Sequence, residues 1–123
     1  MLDLNKYDTG KAAEKGFRLF LKHPVRGDKL EAWIELRGKD STTYQEKAVK
    51  VSREMLNKKD ELSEAQIRAQ LLAAATVNWG EIADGTKQVD YDHNKAVWLY
   101  ENFAWIAEQV SNAISDRANF MPG

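Results

Sequence analysis

The stretch Val77–Phe120, VNWGEIADGTKQVDYDHNKAVWLYENFAWIAEQVSNAISDRANF, holds three of the chain's four tryptophans and its longest apolar rhythm. Leu99, Phe103, Ile106, Val110 and Ala113 recur at steps of four, three, four and three, the spacing that keeps side chains on one face of an α-helix. Such a face has to be buried against something. Asp92 stands just ahead of the run, where its carboxylate can accept from the free N–H groups of a first turn, so a helix is predicted from about Asp92 to Arg117. Asn102, a weak helix former, leaves open one helix or two meeting near Asn102 and Phe103. Upstream, Trp79-Gly80 reads as the end of a preceding helix, with Gly80 in the left-handed position that stops one. Asp84-Gly85 marks a turn.

The first third of the chain changes period. Phe17, Leu19 and Leu21 alternate with Arg18, Phe20 and Lys22 until His23-Pro24. Beyond a turn at Arg26-Gly27-Asp28, Leu30, Ala32, Ile34 and Leu36 alternate with Glu31, Trp33, Glu35 and Arg37. Two runs of period two around a turn predict an antiparallel β-hairpin, and a lone hairpin is marginal in water unless helices cover its apolar face. Two helices follow it in sequence. Ser41-Thr42-Thr43 opens the first, with Glu46 as capping-box partner of Thr43 and Tyr44, Ala48, Val51 and Met55 as its stripe to about Asn57. Ser63 with Gln66 forms a second capping box, ahead of a buried face of Ile67, Leu71, Ala74 and Ala75 that ends at Trp79. Lys58-Lys59-Asp60-Glu61 is the polar link between them. Residues 1–15 have little periodicity and are expected to be weakly ordered, or to add a short edge strand at Leu2 and Leu4. The fold class is therefore α+β: an N-terminal hairpin followed by three to four packed helices, in one domain over residues 1–123.

Composition narrows the chemistry. The formal net charge of −1 leaves no whole-molecule field to gather polyanions, so nucleic acid is not expected as a main partner. Lys6, Lys11, Lys15, Arg18, Lys22, Arg26 and Lys29 make the first thirty residues basic, which reads as solvated surface or as a patch for an acidic partner. With no cysteine, disulfides and thiol catalysis are excluded. No apolar run approaches the length of a membrane span and no signal-peptide core opens the chain, so a soluble, unprocessed protein is expected. Asp84, Asp90, Asp92 and His93 are the one cluster with the donors of a hard-cation site, and a small metal-dependent hydrolase would be built there. The EF-hand spacing is missing, and these residues read more simply as turn, cap and exposed first turn. No metal, cofactor or catalytic group is expected, since no nucleophile elbow, phosphate loop or dinucleotide fingerprint occurs.

The aromatic residues carry more. Strand alternation sends Phe20 and Trp33 to the face opposite the hairpin's core side, where exposed aromatics suit an interface. Trp79, Trp98 and Trp105 read first as core or helix–helix contacts. Trp98 and Trp105, seven apart, share a helical face offset from the Leu99–Phe103–Ile106 seam, so that helix is expected to be buried on two sides, within the fold or against another subunit. Phe20, Trp33, Trp98 and Trp105 are the candidate partner-binding residues, and a homo-oligomer is expected.

A helix ending in Trp79-Gly80, the Asp84-Gly85 turn, a short extended link, an aromatic helix and the close Asp116-Arg117-Ala118-Asn119-Phe120 follow one another in this chain. Together with FLKHPVRGDKLEAWIELRGKDSTTY (residues 20–44) and its Gly38-Lys39-Asp40-Ser41 exit, this order resembles the tail assembly chaperones of long-tailed bacteriophages and prophages. The resemblance covers most of residues 16–120. It implies a non-catalytic protein of the host cytoplasm that binds the tape measure protein, recruits tail tube subunits and is absent from the finished virion. It also implies the short form of a pair in which a longer form arises by translational frameshift. The rival expectation is a structural tail or head-tail subunit that stays in the particle.

Overall fold

The computed structural model describes residues 1–58 and 61–121, so Lys59 and Asp60 of the expected polar link lie outside the described residues. A 3₁₀ turn at Leu4–Tyr7 and helix α1 (Thr9–Lys15) lead into strands β1 (Phe17–Lys22) and β2 (Lys29–Leu36). Helices α2 (Thr42–Leu56) and α3 (Glu64–Ala75) follow, then strand β3 (Thr76–Gly80). A small hairpin, β4 (Ala83–Asp84) and β5 (Lys87–Gln88), precedes helices α4 (His93–Asn102) and α5 (Ala104–Ser115) and a 3₁₀ turn at Arg117–Asn119. Among the described residues the protein is mixed α and β, with five helices rather than three or four.

The predicted hairpin forms with Leu19 opposite Ile34 and Phe20 opposite Trp33, but it is not alone. Residues 76–80, expected to finish a helix, pair with β2 as a third antiparallel strand, Ile34 facing Trp79 and Trp33 facing Gly80. The physical reason lies at the junction. The Thr76 hydroxyl donates to the Leu72 carbonyl (2.9 Å), and the Arg37 amide takes the Ala75 carbonyl (2.8 Å). The last turn of α3 is thus satisfied while β-branched Thr76 and Val77 turn extended. Gly80 has no left-handed backbone. A β-carbon there would come within 2.6 Å of the Trp33 indole, so glycine is required because a tryptophan lies across it.

Alternation holds along β1 and β2, while a slip in the pairing between Glu35 and Leu36 leaves both Thr76 and Trp79 of β3 buried. Leu21, Ile34, Leu36 and Trp79 are buried on the sheet's inner face with Ala69, Leu72, Leu99, Tyr100, Ile106 and Val110 of α3, α4 and α5. Of the inner-face residues expected, Phe17, Leu19, Leu30 and Ala32 are partly buried against that core. The alanines of α3 let it approach α4 closely, and these two form the most extensive helix pair. Tyr100, the largest fully buried side chain, donates to Thr76 Oγ1 at 2.7 Å, since that oxygen's own proton goes to Leu72. Burial pushes its phenol pKa up.

Three local expectations need correction. No edge strand forms at Leu2 and Leu4: residues 4–7 and 9–15 are helical, capped by the Asp3 and Asp8 carboxylates. The cap of α2 is Ser41, not Thr43, and its partner is Glu14 rather than Glu46; Glu14 Oε1 accepts from Ser41 Oγ (2.8 Å) and the Thr43 amide (2.9 Å). No residue of α2 is buried, so Tyr44, Ala48, Val51 and Met55 form a half-covered stripe. The Ser63–Gln66 capping box forms as read, although Ile67 and Leu71 are only partly buried and Ala69, Leu72 and Ala73 join Ala74 and Ala75 inside.

Candidate functional site

The long C-terminal rhythm resolves into two helices. Asn102 Nδ2 donates to the Trp98 carbonyl at 2.8 Å, occupying an acceptor of the last turn of α4. Phe103 leaves the helical region at φ −125° and ψ 83°, while its carbonyl accepts from the Ile106 and Ala107 amides to start α5. The break rotates one position out of the seam. Leu99, Ile106, Val110 and Ala113 are buried as the period requires, whereas Phe103 is 38% exposed and sits edge-on to Trp98, itself 37% exposed, at 5.6 Å. Trp98 and Trp105 therefore do not share the face of one helix.

They nevertheless meet in one groove. Trp98, Phe103 and half-buried Trp105 form one wall of a hollow of about 220 Å³. Its floor is Leu21, Leu30, Ala32, Leu99 and Ile106, and its far wall is Glu81, Ile82, Ala83 and Asp84 with Val89. That far wall belongs to the β4–β5 hairpin, which reverses at Gly85 with φ 65°. The Val89 amide reaches the Ile82 carbonyl (2.9 Å), and the Trp79 indole N–H donates to the Val89 carbonyl (2.9 Å). Tyr91 closes the mount, edge-on to Trp79 at 5.3 Å with its hydroxyl on the Thr76 carbonyl. The core tryptophan thus holds the wall of the groove.

Glu81 and Asp84 are the only charged residues lining the groove. Neither makes an ion pair among the described residues, and Lys87, opposite Asp84 in the hairpin register, does not approach it closely enough to form one. Glu81 is also the only non-glycine residue with positive φ among the described residues, at 60°.

Phe20 and Trp33 lie elsewhere, paired on the outer face of the sheet, but they are partly buried rather than wet. The Arg18 guanidinium stacks 3.7 Å from the Trp33 ring, and Lys29 Nζ lies 4.2 Å from the Phe20 ring. Two cations of the basic N-terminal third are thus spent on aromatic faces, and Arg26 pairs with Asp28 at 2.9 Å. Lys6, Lys11 and Lys15 line a separate open hollow beside Phe120 and Met121.

The acidic quartet does not converge. Asp92 accepts from the Lys95 amide as the cap of α4, Asp90 from the Gln88 side chain, Asp84 lies in the hairpin, and His93 is exposed. Among the described residues no group of three or more His, Asp or Glu side chains is placed to hold a metal ion. His23 Nδ1 accepts from the Val25 and Arg26 amides, a turn-forming role.

Sequence reasoning missed Phe103, Glu81 and Ile82 as site residues. Only the Asp84-Gly85 turn signalled that a wall stood there. No described helix is long and apolar enough to cross a membrane. Comparison with protein-family models, with curated proteins and with solved structures finds no match for this chain.

Proposed function

We propose that this protein is a non-catalytic assembly chaperone of a long-tailed bacteriophage or prophage, binding the tape measure protein and recruiting tail tube subunits in the host cytoplasm. The observation that carries the reading is the aromatic groove of Trp98, Phe103 and Trp105, mounted on the buried hydrophobic core. A chaperone of long helices needs such a surface, with apolar side chains offered at modest affinity. The order of sequence motifs that underlies the resemblance points to the same reading, although Thr76–Gly80, taken there as the end of a helix, is a strand. The groove, rather than the Phe20–Trp33 face, is the partner surface, because the latter is already occupied by its own cations.

Co-expression with the tape measure protein tests this. The parent chain keeps the tape measure protein soluble, and Trp98→Ala combined with Phe103→Ala loses that effect while remaining folded. Full burial of one large apolar side chain is worth about 1.5–3 kcal/mol; with Trp98 37% and Phe103 38% exposed, binding covers about a third of that, so each truncation weakens binding roughly two- to fivefold. Failure of the parent to solubilise the tape measure protein would refute the proposal. Recovery of the chain in purified virions by mass spectrometry would instead favour the structural-subunit reading.

A further inference from the structure

The groove's size and charge describe what enters it. Its volume of about 220 Å³ falls below the roughly 300–1,000 Å³ of small-molecule sites and matches the scale of one large apolar side chain. Both charged residues on its lining are acids, on a single wall, and neither is neutralised by an ion pair among the described residues. The chain segment that carries both walls shares this sign: residues 81–108 hold six acids against two lysines, a net charge of −4 in a chain whose total is −1. Glu81 is moreover held in the left-handed region, a conformation costly to any residue with a β-carbon.

We infer that the groove seats one large apolar side chain of an amphipathic helix whose flanking positions carry lysine or arginine. Anchor residues on a helix recur each turn, and a cation one turn from the anchor reaches Glu81 or Asp84 while the anchor contacts Trp98 and Phe103. The apolar anchor sets affinity; the acids select the partner's charge and speed its approach at low salt. The inference rests on the chaperone reading only for the helical form of the partner. The anchor and the charge come from the groove.

The experiment uses two synthetic amphipathic helices of about five turns with the same leucine stripe, one flanked by lysines and one by glutamates. Each is titrated into the full chain by calorimetry, with amide NMR shifts locating the contact. The lysine peptide should bind roughly two- to thirtyfold more tightly than the glutamate peptide at low salt, as expected for two exposed charge pairs. Shifts should fall on Ile82, Val89 and the Trp98 indole. Glu81→Lys with Asp84→Lys, both exposed positions, should reverse the preference, and replacing the central leucine by alanine should abolish binding of either peptide. Equal affinity for both peptides, no binding of either, or shifts confined to another face overturns the inference. The chaperone reading would then still stand or fall on tape measure solubility. A change of mass in light scattering for the double lysine variant, with neither peptide bound, would assign the groove to a second copy of the chain.

Discussion

Glu14 shows how much one side chain holds. From α1 it accepts from the Ser41 hydroxyl and the Thr43 amide, and its other oxygen lies 3.1 Å from Arg37 Nε. The Thr43 and Ser41 hydrogen bonds, with the Arg37 charge behind them, lower its pKa from the ordinary 4.5 to about 2. A folded-state pKa below the unfolded one means stability that is fully present above about pH 4.5 and is lost as pH falls toward 2. The parent protein should therefore lose urea midpoint across that window faster than Glu14→Gln, whose amide oxygen still accepts but cannot titrate. Parallel acid limbs for the two proteins would remove Glu14 from the account. Nothing in the sequence marked this residue, because the twenty-seven positions separating Glu14 from Ser41 are closed only by the fold.

Among the elements, the two hairpin strands β1 and β2 were read most faithfully. Alternation placed Ile34 inside and Trp33 outside, and a partner strand on each side of β2 confirms that register. Ile34, with no exposed surface, should not tolerate aspartate: Ile34→Asp buries an unpaired charge at a cost of at least about 4 kcal/mol and unfolds the protein. Trp33→Ala should be milder, about 1–2 kcal/mol, for a half-buried ring that covers Gly80 and carries Arg18. Thermal melts of the two variants check the order, and the reverse order would invert the register. The helix readings stayed open at Asn102 and erred at Thr76, the two places where a side chain competes with the backbone. Asn102 takes a carbonyl of its own helix and ends it, and Thr76 does the same for α3 as a strand begins. Both residue types were visible, but whether each caps or continues depends on what waits to pair with the next residue.

At the scale of the whole molecule, apolar surface is left over. Leu2, Leu4 and Tyr7 at one end and Trp98 and Phe103 at the groove are all exposed, more than a small monomer usually shows together. Concentration-dependent association through the N-terminal apolar end is expected: light scattering should give a mass above that of the 14.0 kDa chain at high concentration, and Leu2→Ser with Leu4→Ser should lower it. A monomer at every concentration tested would remove Leu2, Leu4 and Tyr7 as a subunit contact. What the sequence determined by itself was whatever rests on local periodicity: the hairpin and its two faces, the Ser63 and Asp92 caps, the apolar rows of α3 to α5, and the burial of Trp79. The tertiary structure alone decided the third strand, the outward turn of Phe103 and the joining of Trp98 and Trp105 to a hairpin wall. Each of these depends on groups far apart in the chain competing for the same hydrogen bonds and the same buried space, and that competition has an outcome only once the chain has closed on itself.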